Sequence, residues 1–403
     1  MENILNLEDI VRAEKTIKSS LKRTPVVECP LLEQMTGNKV YLKLENLQKT
    51  GSFKLRGALN KIANLTEEEK NRGVIASSAG NHAQGVALGA TAQGIKATIV
   101  MPATAPLAKI SATRNYGAEV ILHGSVYDDA YAKACEIQKE TGATFLHPFD
   151  DKYVIAGQGT IGLEILEDIP DIDVVIVPIG GGGILAGISK AIKSIKPDVR
   201  IIGVEAENAA SMKEAIRKNE VCEIQSKPTI ADGIAVRKAG SLTFDIIREN
   251  VDEIVTVTED EIAEGILFMM EKSKVVAEGA GATPMAAILA GKIDVKGKKV
   301  CTVISGGNID INLVERILNK ALIVTGRRFE FKINLTDKAG ELHKIVKIVS
   351  DSNANILYIN QSRYNKSLGI NMQEASFVIE CFDMEHRDSI RRELEKEGYE
   401  IID

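Results

Sequence analysis

The sequence lacks the marks of a secreted, membrane-bound or metal-clustered protein. Its cysteines, Cys29, Cys135, Cys222, Cys301 and Cys381, are odd in number, far apart and without a Cys-x-x-Cys pair. That excludes a disulfide framework and a zinc ribbon, and reduced, buried thiols are expected. His82, His123, His147, His343 and His386 are scattered and show no metal-ligand spacing. Positive charge is not in excess: 50 Lys and Arg face 56 Asp and Glu, for a formal net charge of −6. This balance argues against a nucleic-acid or anionic-membrane partner. No apolar run reaches membrane-spanning length, and the first residues lack the basic region and apolar core of a signal peptide. A cytoplasmic protein is expected.

What is present fits a soluble globular chain. It has 403 residues, 44% hydrophobic and 26% charged, enough for two or three domains. Residues 6–21 read as an amphipathic helix capped by Asn6 and Asp9. Residues 39–44 read as a short strand, and a helix beyond residue 58 is expected to end in the charged run 66–72. From 73 to 150, apolar runs at 74–76, 97–101, 119–122 and 144–146 alternate with helical patterns at 83–94, 106–116 and 127–141. A second series has strands at 174–177, 200–204, 253–257 and 299–304, and ends near Leu322. Alternation of this kind predicts parallel βαβ units. Residues 327–403 follow another order, βαββαβ, the ferredoxin-like arrangement of a small module, with a polar loop after residue 363.

Several stretches could carry chemistry. In Lys49-Thr-Gly-Ser-Phe-Lys-Leu-Arg-Gly-Ala58, Lys54 stands between Phe53 and Leu55, with Gly51 and Gly57 on either side. It is either an enclosed amine able to act as nucleophile or base, or an exposed lysine at a helix start capped by Ser52. A continuous apolar strand runs from Val174 into Pro178-Ile-Gly-Gly-Gly-Gly183 and then a helix, a pattern suited to phosphate. Gly181-x-Gly183-x-x-Ala186, with Glu205 after the next strand, also fits a nicotinamide-dependent oxidoreductase. The Lys54 stretch then has no role, whereas an aldehyde cofactor bound to that lysine uses both. The loop Ser77-Ser-Ala-Gly-Asn81 could hold a carboxylate, or Ser77 or Ser78 could simply cap a helix. Ser305, in Ile304-Ser-Gly-Gly-Asn308, would project from the carboxyl end of a strand. Glu278 is either a helix-start charge or a site acid.

Four of these stretches, in this order, resemble fold type II (tryptophan synthase β-like) pyridoxal-phosphate enzymes: 51–58, 78–85, 178–183 and 305–308. Within that family the sequence looks like the threonine dehydratases (threonine ammonia-lyases), over about residues 5–322. The resemblance implies a large cofactor-binding domain of residues 1–50 and 152–322 and a small α/β domain of residues 51–151. It implies that Lys54 bonds the cofactor aldehyde, Phe53 packs near the ring and Asn81 meets the phenolic oxygen. Gly180, Gly181, Gly182 and Gly183, with the Ile184 amide, would cradle the phosphate, and Ser305 would face the pyridine nitrogen. Ser77, Ser78, Ala79, Gly80 and Asn81 would hold the substrate carboxylate. The activity implied is β-elimination of threonine to 2-oxobutanoate and ammonia, with slower action on serine, as in isoleucine biosynthesis. Related serine racemases have serine where Ala79 stands, so racemisation is not expected. Their metal site maps to Glu205, the Ala209 carbonyl and Ser211, where only a weakly held monovalent cation is expected.

The tail, 327–403, resembles an ACT regulatory domain, with Gly340 in the turn where an amino-acid effector would approach. The resemblance implies an allosteric homo-oligomer, a dimer or tetramer, answering to branched-chain amino acids. A catalytically silent amino-acid sensor is the remaining alternative.

Overall fold

The computed structural model describes residues 5–364 and 368–402; part of the expected polar loop, residues 365–367, lies outside them. Residues 1–311 and 312–403 form two compact units. The division falls after the first residue of the helix Ile311–Val324, whereas the apolar series read from the sequence runs on to Leu322.

In the first unit the strands, in chain order, are β1 (Val26–Glu28), β2 (Lys39–Leu44), β3 (Val74–Ser77), β4 (Ala97–Met101) and β5 (Glu119–Leu122). They continue with β6 (Thr144–Phe145), β7 (Val174–Pro178), β8 (Arg200–Ala206), β9 (Glu253–Val257) and β10 (Lys299–Ile304). One sheet has the order β1-β2-β10-β7-β8-β9, parallel except where β1 runs against β2. The other, β5-β4-β3-β6, is parallel throughout. Every residue of β3, β4 and β7 is buried, as parallel sheets covered by helices on both faces require. Crossover helices return the chain each time, so the loops after β3, β7 and β10 all leave the carboxyl ends of parallel strands.

Helices behave as their ends dictate. Asn6 and Asp9 form the expected capping box on Leu7–Ile17. The helix expected to run into residues 66–72 is instead two, Lys54–Ala63 and Glu67–Arg72. Thr66 and Glu69 exchange side-chain and backbone bonds, which restarts the chain as a new, solvent-facing helix. Glycines bring the central helices together at backbone distance. A Cβ on Gly157 would lie 2.6 Å from the Arg56 carbonyl oxygen, and one on Gly187 would lie 2.4 Å from that of Ile155. The helices Lys54–Ala63, Lys152–Asp168 and Gly183–Ile195 are thereby fixed against one another.

The second unit contains β11 (Arg328–Thr336), the helix Glu341–Asp351, β12 (Asn355–Ser362), β13 (Met372–Glu380), the helix Met384–Lys396 and β14 (Ile401–Ile402). Its sheet, β12-β13-β11-β14, is antiparallel, in the βαββαβ order expected. Phe329, Phe331, Ile333 and Leu335 alternate inward along β11 against Phe377 and Ile379, with polar residues outward. All five cysteines are free, but Cys135 and Cys222 are only partly buried, contrary to expectation, because both lie near the surface.

Candidate active site

Lys54 is the first residue of the helix Lys54–Ala63, with Phe53 at the N-cap position. No side chain caps this helix; Ser52 is buried and its hydroxyl has no partner. The Lys54 amine donates to the Pro148 carbonyl at 2.8 Å and lies 5.2 Å from the centre of the Phe53 ring. The residue keeps some exposed surface, but the amine is enclosed by protein. Burial lowers its pKa to about 8, against an opposing pull from Glu278. Its geometry is that of an enclosed amine, not of a solvated helix-start lysine.

The next residue along from Pro148 connects this amine to the glycine loop. A Cβ on Gly181 would lie 2.4 Å from the Phe149 ring, and one on Gly183 would lie 2.9 Å from Phe149 Cβ. A Cβ on Gly180 would meet Ile234 at 2.9 Å, while Gly182, at φ +97°, is wedged against Met212 and Thr243. The Thr243 hydroxyl donates to the Gly181 carbonyl at 2.6 Å and fixes the loop from below. Asp150 in turn accepts from the amides of Ser241, Leu242 and Thr243. The loop leads into the helix Gly183–Ile195, whose first-turn amides, Ile184 among them, have no acceptor within the helix.

Ser77 ends β3 with a buried hydroxyl that has no partner. Ser78 accepts from the Gly80 amide at 3.2 Å. Neither serine caps the helix Asn81–Thr91, whose N-cap is Gly80, so the capping reading fails. A Cβ on Gly85 in that helix would lie 3.2 Å from the Lys54 backbone, so the two helix starts meet closely. Asn81 donates to Glu278 at 2.6 Å and accepts from the Asn308 amide at 2.7 Å. Asn308 also donates to the Thr50 carbonyl at 2.7 Å. Backbone bonds from Gly307 to Gly51 and from Phe53 to Ser305 complete the seam between the lysine stretch and the loop after β10. Ser305 is buried at the end of β10.

Glu278 stands at the N-cap of the helix Gly279–Leu289 but makes no capping bond; its side chain is directed to Asn81. Burial raises its pKa to about 7, and Asp232 adds to that, while Lys109, Asn81 and Lys54 oppose it. His82 is buried, with Nε2 2.9 Å from the Leu146 carbonyl, and burial lowers its pKa to about 3, which leaves it neutral.

Glu205 stands apart from this group. Its two oxygens accept from the Met212 and Lys213 amides, both at 2.8 Å, and burial raises its pKa to about 7. It caps the helix Ser211–Lys218, an employment that competes with gripping a ribose or a cation. Ala209 is buried nearby. Among the described residues no group of three or more His, Cys, Asp or Glu could hold a metal ion. Sequence reasoning missed Pro148, Phe149 and Thr243, and gave no role to Asn308 within the stretch 305–308. Only Asn308, beside its glycine pair, carried a local signal.

An enclosed near-neutral amine, a glycine loop opening on a helix start and a small polar loop beside a protonatable acid are the groups an enzyme needs for an anionic, aldehyde-bearing cofactor. Residues 17–306 match the family of pyridoxal-phosphate dependent enzymes, and the chain belongs to that family. Its cofactor is pyridoxal phosphate, and this overturns the nicotinamide reading of residues 181–186. The chain is 53% identical to the L-threonine ammonia-lyase of Thermotoga maritima over 398 residues, 99% of each chain. Among solved structures it is similar to a threonine deaminase isoform from Solanum lycopersicum, with TM-score 0.75 and 38% identity over 78% of this chain and 92% of that one. It is also similar to maize serine racemase, with TM-score 0.75 and 35% identity over 80% of this chain and 99% of that one.

Proposed function

We propose that this chain deaminates L-threonine to 2-oxobutanoate and ammonia, and L-serine more slowly. The observation that carries this reading is the junction at Pro148–Phe149, where one neighbour holds the Lys54 amine and the other packs on the glycine loop. The residues fit pyridoxal phosphate. A glycine loop packed too closely on its neighbours to admit a Cβ, first-turn amides without acceptors and an enclosed amine match its phosphate and aldehyde. The cofactor, when bound, supplies an aldehyde for the substrate nitrogen and a ring that draws electrons from the α-carbon.

The chain's own residues do the rest. Gly180 to Gly183 and the Ile184 amide would bind the phosphate, Phe53 would pack near the ring and Ser305 would face its nitrogen. With its pKa near 8, Lys54 is partly neutral at physiological pH and takes the α-proton. Ser77, Ser78, Ala79, Gly80 and Asn81 hold the substrate carboxylate at the start of the helix Asn81–Thr91; the unpartnered Ser77 hydroxyl supports this. Asn81 has a second amide hydrogen for an oxygen anion, while Glu278 and Asn308 fix its plane. Ala79 offers no proton from the opposite face, so elimination prevails over racemisation. Serine lacks the methyl group of threonine, and a methyl pocket discriminates roughly 10–200-fold.

The test joins a visible spectrum to an assay. The purified chain should show an absorption band lost on borohydride reduction, and threonine should yield a 2-oxoacid. Lys54→Ala should lose nearly all turnover; full activity in that variant would overturn the assignment. A band without 2-oxoacid would favour a silent sensor.

We further propose that residues 327–403 form an ACT regulatory domain in a cytoplasmic homo-oligomer. The βαββαβ sheet supports this, as does Gly340, which sits at φ +93° with open space where a side chain would be. Isoleucine or valine should change activity or melting temperature; if neither does, those effectors are excluded.

A further inference from the structure

The C-terminal unit has a concave site whose lining does not include the Gly340 turn. A cavity of about 640 Å³ is lined by Arg328, Arg387, Arg391 and Arg392, with Glu330 and Asp388 as the acids among its described residues. Four cations against two carboxylates leave an excess of two positive charges. Arg387 is bonded to Asp388 at 2.9 and 2.7 Å. Among the described residues Arg328 donates to the neutral Asn319, and its buried Nε has no partner there. Arg391 stacks over the Phe329 ring at 5.2 Å, which holds its guanidinium at the cavity wall.

The placement runs against ordinary helix electrostatics. Arg387 lies in the first turn of the helix Met384–Lys396, where the helix dipole disfavours cations. Arg391 follows it at i+4, a like-charge neighbour that weakens a helix. The Asp388 pair and the Phe329 ring offset part of this cost, and a bound anion reverses both penalties. Guanidinium forks match carboxylate and phosphate, and they outnumber the two oxygens of one carboxylate. A phosphate monoester has about −1.5 to −2 charge and three acceptor oxygens, which meets the excess of two. The volume suits a small metabolite, with Ile323 as an apolar wall for its organic part.

We propose that this cavity binds the phosphate group of a small anionic metabolite. The site lies within the C-terminal unit and stands whether or not the lyase reading is correct.

The test uses the full chain loaded with pyridoxal phosphate, so that the glycine loop does not compete for the probe. Inorganic phosphate and pyrophosphate are titrated by calorimetry, with citrate at equal ionic strength for comparison. Binding should be saturable and should weaken at least about tenfold in Arg328→Gln and in Arg392→Glu, as loss of a charged hydrogen bond predicts. Arg392 is exposed, so its variant keeps the test alive if Arg328→Gln does not fold. No binding, or binding unchanged in both variants, would overturn the proposal. So would citrate binding more tightly than phosphate, or variants that alter oligomer size and leave phosphate binding intact.

Discussion

The helix Lys54–Ala63 has two buried charged regions, one at its start and one two residues on, and they are built on opposite principles. Around Arg56 every buried charge has an opposite charge in contact. Arg56 grips Glu45 at 2.8 and 2.8 Å and Glu164 at 2.7 and 2.9 Å, and Lys43 adds a bond to Glu164 at 2.6 Å. Burial alone would raise Glu164, but Arg56 and Lys43 more than offset it and hold its carboxyl below the usual range. At the helix start, Lys54 touches a neutral carbonyl and Glu278 a neutral amide. Burial there goes uncompensated, and both groups shift toward their neutral forms. One region uses charge to hold the helix in place. The other withholds charge pairing so that an amine and an acid stay titratable near pH 7.

The contrast is broken most severely at Arg56. Arg56→Met would leave Glu45 and Glu164 buried beside only Lys43, and removing one partner of a buried pair costs about 3–5 kcal/mol. The urea unfolding midpoint should fall accordingly. Adding Glu45→Gln should recover part of the loss, since Glu45 pairs with Arg56 whereas Glu164 keeps Lys43, so the orphaned carboxylate then carries no charge. A midpoint shift equivalent to less than about 1 kcal/mol would show that the network is not a matched set.

These two regions were unequally legible. The strands β2, β4, β5, β9 and β10 begin and end where apolar runs and glycine or polar punctuation put them. The helix Tyr127–Thr141 also kept its expected bounds. Lys54, Asn81, Ser305 and residues 180–183 stood out because glycines cluster beside functional side chains at strand ends. Arg56 was visible as a letter, but its partners lie 11 and 108 residues away, and no periodicity marks such pairing. Pro148, Phe149 and Thr243 were hidden for the same reason. Phe149 and Thr243 touch glycine backbone and Pro148 offers its own carbonyl to Lys54, and neither kind of contact leaves a pattern at the position that makes it.

Glu278 offers the next largest effect. Its folded pKa of about 7 lies above the ordinary 4.5, so the folded chain keeps a proton that the unfolded chain releases. The associated stability is complete below pH 4.5 and is lost as pH rises through 7, a change of up to about 3 kcal/mol. Glu278→Gln should flatten that part of the stability profile. Parallel profiles for the two chains would mean that Glu278 titrates normally and that the neutral-partner description of the site is wrong.

Lys109 gives the smallest and sharpest test. It pairs with Asp232 at 2.7 Å, and the two act on Glu278 with opposite sign, Lys109 lowering and Asp232 raising its pKa. Lys109→Met removes the cation and leaves Asp232 unneutralised, so both changes push Glu278 upward. The descending part of the stability profile should move to higher pH by up to about one unit, or ~1.4 kcal/mol. The same substitution in the Glu278→Gln background should move nothing, because no carboxyl remains to report it. A shift that persists there would trace the titration to another group. No shift at all would mean that Glu278 already answers to a cation at contact distance, as Glu164 does, and the two regions would then obey one rule.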